Sequence, residues 1–119
     1  HMACENKTVN KIVEVLNSKS AEDITVLNVE GLTTLTDYFV LTTGKNERQT
    51  QALCDHVEQE LGKDGIFHIN KEGYRTGDWI LIGFNDAIVH IFKPDTRDFY
   101  NLERVWSDAV EVDISDLVD

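Results

Sequence analysis

The residue types that could do chemistry are few and scattered. Cys54 and His56 stand two apart in a helical pattern, while His68 and His90 lie far from them and from each other. A zinc site needs three or four ligands at paired spacings, and no such set occurs. Nucleophilic catalysis needs a base beside the nucleophile. Cys54 falls on the apolar stripe of its helix, and there is no Gly-x-Ser-x-Gly elbow. Thr42-Thr43-Gly44-Lys45 precedes a helix start, where free N–H groups can hold a phosphate. That run lacks Walker spacing, so a tight turn is the favoured reading. Nucleotidyl transfer would also require paired carboxylates near this turn to hold metal ions. Asp37 sits at the wrong end of its strand, and the pairs Glu111-x-Asp113 and Asp113-x-x-Asp116 lie near the C-terminus. The residues therefore imply no catalytic set, no metal and no cofactor.

A richer signal is the surplus of aromatic and charged residues between Glu72 and Trp106. Trp79 and Leu81 alternate with Ile80 and Ile82, so the pairs face opposite sides of one strand. A hairpin at the edge needs one buried face, which leaves the other for a partner. Trp79, following Gly77-Asp78 at the strand start, reads as a surface residue. His90, in the apolar run Ala87 to Phe92, is either a histidine satisfied within the sheet or part of an interface. From Thr96 onward, Phe99, Leu102 and Trp106 fall at helical spacing as a core stripe, with Tyr100 and Glu103 on the adjoining one. Trp106 fits core and surface equally. Aromatic residues and arginine carry most interface energy.

The elements that must position these residues follow from periodicity and punctuation. Val9, Ile12, Val13 and Leu16 predict an amphipathic helix over 8–19. Strands are predicted over 23–30 and 37–43, the second with a continuous apolar run from Tyr38 to Leu41, as in a central strand covered on both faces. Asn46 with Gln49 predicts a capped helix whose inner face is Leu53, Val57 and Leu61, with Thr50 and Cys54 beside them. A short strand is predicted at Ile66, Phe67 and Ile69. Strands over 78–83 and 87–92 flank Asn85-Asp86, and Pro94 closes the second. One helix is predicted from Thr96 to Trp106, then an edge strand over 110–114. The expectation is an α/β domain: a mixed sheet of about five strands with helices packed on it. It would span residues 8–114, after a tag scar and N-terminal tail (1–7) and before an acidic tail (115–119).

With 119 residues and 41% apolar residues, the chain suffices for one core. No apolar run reaches the roughly 20 residues of a membrane span, and no apolar leader is visible. Cys4 and Cys54 without a disulfide framework suit a reducing cytosol. The net charge of −11 argues against gripping nucleic acid through its phosphates and suits a basic protein partner.

Glu72-Gly73, Gly77-x-Trp79-x-Leu81, Val89-His90-x-Phe92 and Arg97-x-x-Tyr100-x-Leu102-Glu103-x-x-Trp106 occur in order. Together with Asp37-Tyr38-Phe39-Val40, Gly44 and Arg48-Gln49, they resemble the ribosomal silencing factor (RsfS, or Iojap) family, over residues 8 to 112. The resemblance implies a nucleotidyltransferase-like fold without that chemistry. It implies a cytoplasmic translational repressor, not an enzyme, that binds the large ribosomal subunit at ribosomal protein L fourteen. Occupying that face sterically blocks joining of the small subunit. The residues carried over as partner-binding are Trp79, Leu81, His90, Phe92, Arg97, Tyr100, Glu103 and Trp106. Trp79, Leu81 and Tyr100 would be apolar anchors; Glu103 would pair with a partner cation or, internally, with Arg97 or Arg104. The free protein would form a homodimer, with no DNA or membrane contact. Gly83-Phe84-Asn85-Asp86 and Lys45-Asn46-Glu47 depart from the family pattern, both in loops. The rival readings are a nucleotide-binding or nucleotidyltransferase-like enzyme acting near Gly44, and an interaction module for another basic protein.

Overall fold

The structure, a computed structural model, describes residues 6–119; the expected tag scar and Cys4 lie outside the described residues. Helix α1 (Lys7–Ser18) starts where the Asn6 side chain accepts the Val9 N–H at 3.0 Å. Its apolar stripe, Val9, Ile12, Val13 and Leu16, is fully buried. Each such side chain contributes about 1.5–3 kcal/mol on leaving water. Strands β1 (Glu22–Asn28) and β2 (Tyr38–Thr43) pair antiparallel. Helix α2 (Glu47–Lys63) follows, with Asn46 Oδ1 accepting the Gln49 N–H at 2.9 Å. Gln49 Oε1 in turn accepts the Lys45 N–H at 2.7 Å, one residue earlier than a capping box would place it.

Strands β3 (Asn70–Glu72), β4 (Trp79–Gly83) and β5 (Ala87–Phe92) come next. Short helices α3 (Pro94–Tyr100) and α4 (Leu102–Val105) and strand β6 (Val110–Val112) complete the chain. The sheet order is β3-β4-β5-β2-β1-β6, with β2 and β5 parallel and the other neighbours antiparallel. This is the mixed α/β architecture expected, with six strands where about five were predicted. The outer strands β3 and β6 have three residues each; β6 falls within the edge strand expected over 110–114, whereas β3 is too short and polar to show periodicity.

The two sheet faces are covered unequally. Helices α1 and α2 pack on Val26, Val40, Ile80, Ile82, Val89 and Ile91 as the main core. The opposite face holds a smaller core of Leu27, Val29, Phe39, Leu41 and Phe92, covered by Leu102, Trp106 and Ala109. The continuous apolar run of β2 is buried from Phe39 to Thr43 because it lies between these two layers.

Three expectations are corrected. The strand predicted at 66–69 lies instead at Asn70–Glu72, whose residues are all exposed. Ile66 packs on the main core, whereas Phe67 and Ile69 face solvent, so burial does not define this strand; pairing with β4 does. The single helix from Thr96 to Trp106 is broken at Asn101, whose φ is +47°. Asparagine tolerates this left-handed conformation, and its Oδ1 accepts the Arg104 N–H at 3.3 Å to start α4. Consequently Phe99 leaves the core stripe and is 80% exposed, while Leu102 and Trp106 stay half-buried. In the segment read as a tail, Leu117 and Val118 pack against the main core.

One guanidinium fastens the α3–α4 unit to the sheet. Arg97, with its side chain only 10% exposed, donates through Nη1 to the Asp23 carbonyl (2.6 Å) and Thr43 Oγ1 (2.9 Å). Its Nη2 donates to Thr25 Oγ1 (3.3 Å) and to Glu103 Oε2 (2.7 Å). Strands β1 and β2 and both short helices thus share one cation.

A buried titratable group lies on the same face. Burial lowers the His90 pKa from 6.5 to about 4. Between those values the unfolded chain binds a proton that the folded chain refuses. Stability from the neutral ring is therefore complete above pH 6.5 and is lost as pH falls towards 4. By pH 5 the loss from this residue is about 2 kcal/mol. Urea unfolding at pH 7 and pH 5 is expected to show a smaller stability difference in His90→Gln than in wild type; equal differences would refute the assignment. Backbone closeness gives a second prediction. Gly73 has φ +78°, and a Cβ there would collide with the Trp79 carbonyl oxygen; Gly31 has φ +84° and open space. Gly31→Ala is expected to cost about 1 kcal/mol and Gly73→Ala clearly more. Equal urea midpoints for the two variants would contradict this.

Candidate partner-binding face

Trp79 opens β4 directly opposite Phe92 of β5, and Leu81 lies opposite His90. Partners across a ladder share a face, so these four side chains form one patch on the thinly covered side. Trp79 Nε1–H donates to His90 Nδ1 at 3.0 Å. Indole nitrogen can only donate, so Nδ1 is the acceptor and the neutral ring carries its proton on Nε2. That Nε2 is buried and has no hydrogen-bond partner among the described residues. The imidazole stacks on Phe92 (6.0 Å, 13°) and meets Phe39 edge-on at 5.1 Å.

The rings continue outward to solvent. Trp79 lies 5.1 Å from Phe92 and 4.8 Å from Tyr100, which meets Phe99 edge-on at 5.0 Å. Inward, Phe39 meets Trp106 at 5.2 Å. An aromatic chain thus runs from exposed Phe99 and Tyr100 through half-buried Trp79 into the smaller core. Aromatic pairs at these separations are favourable beyond their buried area, so the outer rings rest on a packed base.

Of the eight residues expected to bind a partner, Tyr100 is exposed, and Trp79 and Leu81 are half-buried beside it. His90 and Phe92 lie beneath them, 5% and 1% exposed, where they support the Trp79 ring. Arg97 and Glu103 pair with each other, the internal alternative for Glu103. Trp106 is half-buried in the smaller core, on the far side of Phe39. The sequence reading missed Phe99 and Asp95. The cue was Asn101, a residue able to break the helix and swing Phe99 outward.

Two depressions flank Trp79. One, of about 420 Å³, lies between the β4 start and α3, lined by Asp78, Trp79, Asp95, Phe99 and Tyr100 with two threonines. The other, about 310 Å³, is lined by Glu72, Gly73, Trp79 and Leu81. Asp78 is paired with Lys93 at 2.9 Å. The surroundings are acidic and aromatic, a surface suited to cations and apolar groups together.

The other candidate chemistry has a different geometry. A Cβ on Gly44 would come within 2.9 Å of Thr50 Cγ2, so Gly44 is a close-packed turn. Glu47 occupies the first turn of α2, and Gly77 packs against it, so the helix start already faces a carboxylate of this chain. Cys54 is buried, and burial with nearby Glu58 pushes its thiol up to about 12, so the thiolate is scarce at neutral pH. Among the described residues no three His, Cys, Asp or Glu side chains group as metal ligands. Among them, too, no helix is long and apolar enough to cross a membrane.

Comparison with known proteins agrees with this architecture. The family described as "Ribosomal silencing factor during starvation" matches residues 3–119. A Bacillus subtilis protein named ribosomal silencing factor RsfS is 35% identical over 109 residues, covering 91% of this chain and 92% of that one. One of the same name from Halalkalibacterium halodurans is 34% identical over 106 residues, covering 89% and 91%. The crystal structure of a Chromobacterium violaceum protein superposes with a TM-score of 0.82 at 31% identity, covering 85% of this chain and 84% of that one. Matched along nearly its whole length, the chain belongs to the ribosomal silencing factor family.

Proposed function

We propose that the protein represses translation by binding the large ribosomal subunit at ribosomal protein L fourteen, where it sterically blocks joining of the small subunit. The relatives' name supports the ribosomal role. The observation that carries the reading is the apolar patch of exposed Tyr100 and half-buried Trp79 and Leu81 on a chain of net charge −11. Large aromatic side chains on a rigid base are the common anchors of protein interfaces. A negative chain is steered towards a basic surface before contact forms. The repression needs no bond to be made or broken: occupancy of one face excludes the other subunit. The place of action is the cytoplasm, where ribosomal subunits meet.

Trp79 and Tyr100 act as apolar anchors, and Leu81 extends the patch across β4. His90 and Phe92 hold Trp79 from below. Arg97 and Glu103 hold α3, and hence Tyr100, at its distance from Trp79. Trp106 supports the same layer from the far side.

Co-sedimentation with isolated large subunits tests the reading. Wild type is expected in the pellet, and Trp79→Ala and Tyr100→Ala each to bind roughly thirtyfold more weakly. Tyr100 is 48% exposed, so its variant is expected to keep the wild-type circular dichroism and melting point. Wild type that stays in the supernatant at low and moderate salt would overturn the ribosomal reading. Folded variants that pellet like wild type would remove the patch from it.

A further inference from the structure

Phe99 is the most exposed of the large apolar side chains among the described residues. It forms one wall of the cleft that Trp79 and Tyr100 complete, with Asp95 at its rim. We propose that this cleft receives a cationic side chain of a basic protein partner, held over the rings of Trp79, Tyr100 and Phe99 and paired with the Asp95 carboxylate. The proposal rests on the ribosome-binding reading and adds to it two contact residues, Phe99 and Asp95, that the family motifs did not bring in.

Two observations point to a cation. Ring faces carry partial negative charge, and three rings converge here, with Tyr100 4.8 Å from Trp79 and 5.0 Å from Phe99. The two acids of the cleft differ: Asp78 is neutralised by Lys93 at 2.9 Å, whereas Asp95 makes no salt bridge among the described residues. A wholly apolar occupant would strip water from that carboxylate without replacing its interactions, which is costly. A cationic side chain satisfies the rings with its stem and the carboxylate with its head. The apolar counterpart belongs in the second depression, against Trp79 and Leu81. Trp79 is the ridge between a cation-accepting side and an apolar-accepting side, which requires a partner that presents both groups a short distance apart.

The test is titration of fluorescently labelled protein with purified large ribosomal subunits over a series of salt concentrations. Phe99→Ala and Asp95→Asn are each expected to weaken binding at least about fivefold, with folding unchanged by circular dichroism. Asp95→Asn is expected to flatten the salt dependence, and Asp95→Lys to weaken binding more than Asp95→Asn does. Asp98→Asn, on the same helix but lining a different depression, is expected to bind like wild type. If Phe99→Ala and Asp95→Asn also bind like wild type while Tyr100→Ala does not, the cleft proposal falls and the ribosomal reading stands. If Asp98→Asn weakens binding as much as Asp95→Asn, general acidity explains the effect and the cleft proposal falls. If wild type itself fails to bind, both fall together.

Discussion

The arrangement of the patch depends on one guanidinium. Arg97 reaches from α3 into a niche where a backbone carbonyl, two threonine hydroxyls and a carboxylate converge. A charge so nearly buried is tolerable only when its donors are well used, and four acceptors are supplied here. The helices it fastens are too short to be stable alone, since isolated helices below about 12 residues are marginal in water. Their position over the sheet is therefore a tertiary effect. Through them the cation sets how far Tyr100 stands from Trp79.

The uneven cover of the sheet explains why the surface forms on this side. Two long amphipathic helices close one face completely. The other face receives two short helices and the side chains they bring, so its aromatic layer ends at solvent instead of at another layer. A buried histidine within it, with an N–H left unpaired, is an expense that a plain hydrocarbon would avoid. Its return is a fixed tautomer that accepts the indole N–H and holds Trp79 in one orientation. The stability of this face is thus coupled to the placement of its most prominent ring.

Much of this was legible in the sequence. Both long helices could be read from apolar spacing, and α2 from Asn46 and Gln49 as well. The hairpin β4–β5 could be read from two apolar runs around Asn85-Asp86. What could not be read had no local signature. Asn70-Lys71-Glu72 forms a strand by pairing with β4, without burying a side chain. The break at Asn101 depends on one residue adopting a left-handed conformation inside a pattern that otherwise continues. Arg97 looked like an interface residue because its acceptors at Asp23, Thr25 and Thr43 lie 74, 72 and 54 positions away. Aromatic composition marked the right region, but only the fold separates rings that face outward from rings that support them.

The strand order carries a consequence for synthesis. The central parallel pair joins β2 to β5, and β2 ends at Thr43 whereas β5 begins at Ala87. During translation the apolar inner edge of β2 has no neighbour until α2 and the β3–β4 hairpin have emerged and returned the chain to it. The outer edge of β1 waits longer still, for β6 at Val110. Non-local pairing of this kind slows folding and leaves strand edges open to wrong partners meanwhile. The nascent chain thus cannot close its sheet until Val110–Val112 has left the exit tunnel.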